Sequence, residues 1–171
     1  MLLAAYLTTA TVVSATGAWY LLKGRHQTTA RAMLIWGMGL MAVFTPIQMG
    51  FGHLAGEIIR THQPAKFAAV EGRWESGTRV PLVLVAWPDD QAKKNVFELS
   101  IPVVGSWIDS GNADSYQRGI KDIAVADRAP FLVPFFGFRL MVGLSLLMLF
   151  LGWYGSWRNY RNNIGQSRWF L

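Results

Sequence analysis

Three long apolar runs constrain this chain more than anything else in it. Residues 2–22 carry no charged side chain, and about twenty helical residues rising 1.5 Å each cross a hydrocarbon layer of roughly 30 Å. Residues 32–51 are equally free of charge and hold Gly37, Gly39 and Pro46, which membrane helices tolerate where neighbouring helices satisfy the freed backbone groups. Residues 131–155 follow Pro130, contain a single charge at Arg139 and lead into a Trp-rich basic tail. A cleaved leader is a poor reading of the first run, because its basic residues, Lys23 and Arg25, follow the apolar stretch instead of preceding it. Charged residues make up only 15% of the chain, well under the roughly 25% of soluble domains, which argues for a bilayer as the solvent. Cysteine is absent, so disulfide frameworks, thiolate metal sites and cysteine nucleophiles are excluded.

The charges are not spread evenly. All ten acidic residues lie in the segment 57–128, where nine of the sixteen basic residues nearly cancel them. Of the rest, Lys23, Arg25 and Arg31 follow the first run, and Arg158, Arg161 and Arg168 follow the third. Basic residues in short segments beside spans mark the cytoplasmic side, whereas a nucleic-acid binder gathers them on one soluble face. The expectation is an all-α membrane protein with three transmembrane helices, at 1–22, 32–51 and 131–155. A cytoplasmic turn at 23–31 and a cytoplasmic tail at 156–171 put the N-terminus outside and make 52–130 a long extracytoplasmic loop. That loop holds a short amphipathic helix at 65–75, a β-prone run at 80–87, a turn at Pro88-Asp89-Asp90, a second run at 96–104 and a polar turn at 109–116.

Arg139 is the residue most in need of an explanation. A charge inside an apolar span costs at least about 2.5–3.5 kcal/mol, so it requires either an anionic partner or snorkelling to the interface. Met141, two residues on, reads alone as packing; with Arg139 it also offers a thioether for haem iron and a cation for a propionate. His26, His53 and His62 lack the spacing that sets a metal on one helix face and read as solvated residues. In QPAKFAAVEGRWE a helix separates Lys66 and Glu71 by roughly 140°, so they do not share a face, and surface solvation is the simplest account of both.

These motifs carry a resemblance. QPAKFAAVEGRWE after two spans, followed by PFLVPFFGFRLMVG, resembles subunit I of the cytochrome bd quinol oxidases. The likeness runs from AYLTTATVVSATGAWYLLKGRH to the tail WRNYRNNIG, in the same motif order, and the loop length is similar to the short-loop, cyanide-insensitive branch. The resemblance implies that Lys66 and Glu71 act in quinol oxidation, that Met141 is an axial ligand of the low-spin haem b, and that Arg139 lies near that haem. It implies a bacterial inner-membrane enzyme that oxidises ubiquinol or menaquinol and reduces oxygen, with a second subunit, a high-spin haem b and haem d.

The departures are equally specific. The family's second axial histidine precedes the span that here begins at Met1, and its first spans and GRQPW-type motif lie outside this sequence. Where relatives often carry Gly-Asp at the end of the second span, this chain has Gly50-Phe51-Gly52-His53. The sequence is therefore read as an internal fragment, expected to be inactive by itself and to bind haem weakly without the missing histidine. The competing reading is a non-catalytic membrane protein whose outer loop binds a partner or stabilises an assembly.

Overall fold

The computed structural model describes residues 1–164; Arg168 and the end of the expected basic tail lie outside the described residues. The elements in order are α1 (Leu2–Leu22), α2 (Gln27–His62), α3 (Pro64–Glu71), β1 (Leu82–Asp89), β2 (Lys94–Ile101), α4 (Val104–Ser110), two 3₁₀ turns at Ile120–Asp122 and Val125–Asp127, and α5 (Leu132–Tyr160). Three of them, α1, α2 and α5, are long and apolar enough to cross a membrane. The chain divides into two compact units, one of Met1–Phe51 with the chain from Gly143 on, the other Gly52–Val142.

In the first unit the helices pack through small residues. Leu7, Ala10 and Met41 form one buried cluster against Phe44, Met148 and Leu151, and Leu34, Met38 and Ile164 form another. A Cβ on Gly37 would stand 2.0 Å from Ser14 Oγ and 2.7 Å from the Ala10 carbonyl, so glycine lets α1 and α2 approach closely, as small residues do in membrane bundles. Trp153 donates from Nε1 to the Ala42 carbonyl at 3.1 Å. Only 6% of the apolar window of α5 is buried, so nearly all of its surface requires an apolar surrounding.

α2 is much longer than the apolar run at 32–51 because its polar end, with Glu57, Arg60 and His62, continues the helix. The turn before it shrinks to Lys23–His26, where Gly24 and His26 take left-handed φ values of 67° and 46°. α3 ends at Glu71 instead of reaching residue 75, because Gly72 adopts φ 76° and its N–H caps the Ala68 carbonyl, the usual use of glycine at a helix end.

The second unit corrects the all-α expectation. β1 and β2 form an antiparallel hairpin in which Val85 pairs with Leu99 and Trp87 with Phe97. The β-branched and aromatic residues of LVLVAW and VFELSI favour a pleated surface over a helix. Asp89 turns the chain by accepting from the N–H groups of Gln91 and Ala92 at 2.9 and 3.0 Å. Ala68, Ala69, Trp74, Val83, Ala86, Ile120, Phe131 and Phe135 make the core, with Trp74 stacked on Phe131 at 3.9 Å. The helical turn α4 takes up the start of the segment 109–116 that reads as a turn.

Candidate functional site

The end of α3 is where the second unit gathers buried charge. Ala68 and Ala69 sink one face of this short helix into the core, which carries Glu71 inward to 8% exposure. Surface solvation is therefore the wrong account of Glu71. Lys66, five residues earlier, stays exposed, as the 140° separation requires.

Arg139 supplies the charge that faces Glu71. Its Nη2 lies 3.7 Å from the Glu71 carboxylate and donates to the Glu71 carbonyl at 3.2 Å, and its guanidinium stands 4.9 Å from the Phe135 ring and 5.4 Å from Phe138. The anionic partner that a span arginine requires is thus present, 68 residues away in sequence. Among the described residues Arg139 Nε is buried without an acceptor.

A second pair stands behind the first. Arg73, two residues after Glu71, donates from Nη2 to Asp109 at 2.7 Å, with side chains only 7% and 4% exposed. A guanidinium and a carboxylate both this deeply buried persist only when paired. Sequence reading missed this pair, because nothing local links a residue after α3 to one on α4. Burial first, and then the negative charge of Asp109, pushes the Glu71 carboxyl above its ordinary range, while Arg139 and Arg73 pull it the other way. The arrangement suits a carboxyl that exchanges a proton, with fixed cations beside it. Glu71 and Arg73 border an open cavity of about 470 Å³ that Trp74, Val83, Lys93 and Asn95 also line. Trp74 Nε1 donates to Asn95 Oδ1 at 2.8 Å, which fixes the indole as part of the wall.

Met141 lies two residues beyond Arg139 on α5, with 54% of its surface exposed. A thioether on an accessible helix surface and an orphaned guanidinium N–H nearby fit the chemistry of haem iron and a propionate. Among the described residues no cluster of three His, Cys, Asp or Glu could hold a metal ion. His53 and His62 are exposed, and His62 Nδ1 sits 3.0 Å from the Ile58 carbonyl of its own helix.

Three apolar helices and a folded unit of buried charge pairs define a helical membrane protein whose polar chemistry is concentrated in segment 52–142. The sequence matches the family Cytochrome bd terminal oxidase subunit I over residues 1–171, and the chain belongs to that family. It is 33% identical over 124 residues to the cytochrome bd-II ubiquinol oxidase subunit 1 of Escherichia coli K12, covering 71% of this chain and 24% of that protein. It is 28% identical over 130 residues to the cytochrome bd ubiquinol oxidase subunit 1 of Bacillus subtilis 168, covering 70% and 28% respectively. A structure of bd oxidase from Geobacillus thermodenitrificans superposes with a TM-score of 0.89 at 25% identity, over 99% of this chain and 39% of that one. The chain thus spans about a quarter to two fifths of the length of the relatives it matches.

Proposed function

We propose that this chain carries the quinol-oxidising section of a bd-type terminal oxidase. The observation that carries the reading is the burial of Glu71 against Arg139, with Met141 one half-turn further along α5. In this reading Glu71, in its ionised form, accepts a proton from a quinol hydroxyl. Arg139 faces the carboxylate while it is charged, and the charge of Arg73, itself paired with Asp109, favours the ionised form from further off. Lys66, exposed on the same short helix, meets the quinol headgroup from the solvent side. Burial of Glu71 keeps bulk water from competing for that proton. Met141 would hold the iron of a haem b through its thioether and Arg139 would lie beside the group, which when bound would supply one-electron chemistry.

The basic residues at 23–31 and after Tyr160 support an orientation with both of these ends in the cytoplasm and segment 52–130 outside, so that quinol protons leave on the outer face. The substrate in this reading is ubiquinol or menaquinol, with the relatives' names pointing to ubiquinol and to a second subunit as partner. The test uses the full-length parent subunit in its oxidase complex. Glu71→Gln and Lys66→Gln are each expected to slow quinol oxidation while leaving the haem spectrum in place; unaltered turnover in both would sink the assignment. Met141→Leu is expected to remove the low-spin haem signal, and an unchanged spectrum refutes that ligation.

A further inference from the structure

The β1–β2 hairpin carries apolar side chains on both faces, and the second unit covers only one of them. Directly opposed residues of an antiparallel pair point to the same side, so the register places Leu82 with Ile101, Val85 with Leu99 and Trp87 with Phe97 on one face. The other face holds Val83 and Ala86, 5% and 2% exposed, in the core, together with Glu98, which pairs with Ala86. The first face has no charge among its three cross-strand pairs, and it is open: Val85 is 54% exposed, Trp87 64%, Phe97 61% and Leu99 55%. A hairpin with one side in water places its polar residues on that side. This one does the reverse.

The open face has a neighbour that identifies its surroundings. The Trp87 ring lies 5.6 Å from Phe136, in the second turn of α5, and Leu132, Val133 and Leu140 around it are exposed as well. The apolar surface of the hairpin is therefore continuous with the beginning of a helix that is long and apolar enough to cross a membrane. Tryptophan beside the start of a span is typical of the headgroup boundary, where an apolar ring and a polar N–H are satisfied together. The outer edges of a two-stranded sheet keep unpaired N–H and C=O groups, which excludes the hydrocarbon itself and fits that boundary layer.

We propose that the Val85, Trp87, Phe97 and Leu99 face of the hairpin lies in the interfacial layer of the bilayer, next to the entry of α5. The hairpin is then a second membrane contact of the segment that carries Glu71, independent of the three spans and of any catalytic role.

The chain has no cysteine, so a Leu99→Cys substitution gives a unique labelling position within it. In the full-length subunit, reconstituted in phosphatidylcholine bilayers, an environment-sensitive fluorophore at that position is to be quenched by lipids carrying a nitroxide near the headgroup or at the chain end. Strong quenching by the shallow nitroxide, weak quenching by the deep one and protection from aqueous iodide are expected. An Asp114→Cys control on the exposed side chain of the same unit should show the opposite pattern. Iodide quenching at Leu99→Cys equal to that control would overturn the proposal. So would insensitivity to lipid and iodide alike, which would mean that protein covers the face. Val85→Cys, on the adjoining strand, repeats the measurement should Leu99→Cys fail to fold.

Discussion

Replacing Asp109 with Asn isolates what burial does to an ion pair. The Arg73–Asp109 and Arg79–Asp114 pairs are almost equally short, at 2.7 and 2.6 Å, but the first has side chains 7% and 4% exposed and the second 66% and 67%. Two charges about 4 Å apart attract by roughly 4 kcal/mol at an effective dielectric of 20, and desolvation offsets most of that while the pair is intact. Removing one partner leaves the desolvation uncompensated. For Asp109→Asn the stranded charge is Arg73, whose Nη1 already lacks an acceptor among the described residues, and the expected loss is about 3–5 kcal/mol. At about 1.4 kcal/mol per tenfold, amides of segment 52–142 should exchange with solvent about two to four orders of magnitude faster, if they open with that segment. Asp114→Asn should leave the exchange unchanged, because water screens the exposed pair. A paired replacement, Arg73→Met with Asp109→Leu, should recover most of the protection, since no buried charge remains. A change below tenfold in Asp109→Asn, or an equal change in Asp114→Asn, would refute the reasoning. If the double replacement proves as labile as the single, packing and not charge was responsible.

Three further outcomes follow from the same geometry. Because the Glu71 pKa is raised on folding, the folded chain holds that proton where the unfolded chain has released it. This contribution to stability is present below the ordinary value of 4.5 and is lost as pH rises through the folded value. Glu71→Gln should therefore melt relatively higher than the parent above that window; parallel melting curves at all pH values would count against a raised pKa. Gly72→Ala places a methyl at φ 76° and 2.7 Å from Phe135 Cε2, so it should cost about 1–3 kcal/mol and weaken apparent quinol affinity by loosening the end of α3; calorimetry with steady-state kinetics checks both. Gly37→Ala forces a Cβ against Ser14 and Ala10 and should destabilise the first unit by about 1–3 kcal/mol, read as a lower melting temperature in detergent.

The spans were legible because a bilayer imposes a length and an apolarity that twenty consecutive residues reveal. Their ends were less so. Glu57, Arg60 and His62 stop the apolar run of α2 but not its helix, since helix propensity does not end where hydrophobicity does. The two β-prone runs and the turn at Pro88 were readable one by one, yet the all-α label overlooked the hairpin they form. For the site, the angle between Lys66 and Glu71 was readable, and so was the need of Arg139 for an anion. That Glu71 is that anion was not, because the contact joins α3 to α5 across 68 residues and depends on which face of α3 the core buries. Arg73 and Asp109 gave no local sign of each other.

Phe131 and Phe135 sit in the core of the segment that carries Glu71, and the next turns of the same helix present Arg139 and Met141. Adding or deleting one residue between Phe135 and Arg139 would rotate everything beyond it by roughly 100° and shift it by about 1.5 Å. Arg139 would then turn away from Glu71 while every side chain kept its identity. A substitution in this stretch alters one set of contacts, but a change in its length would separate the arginine from the carboxylate at a stroke.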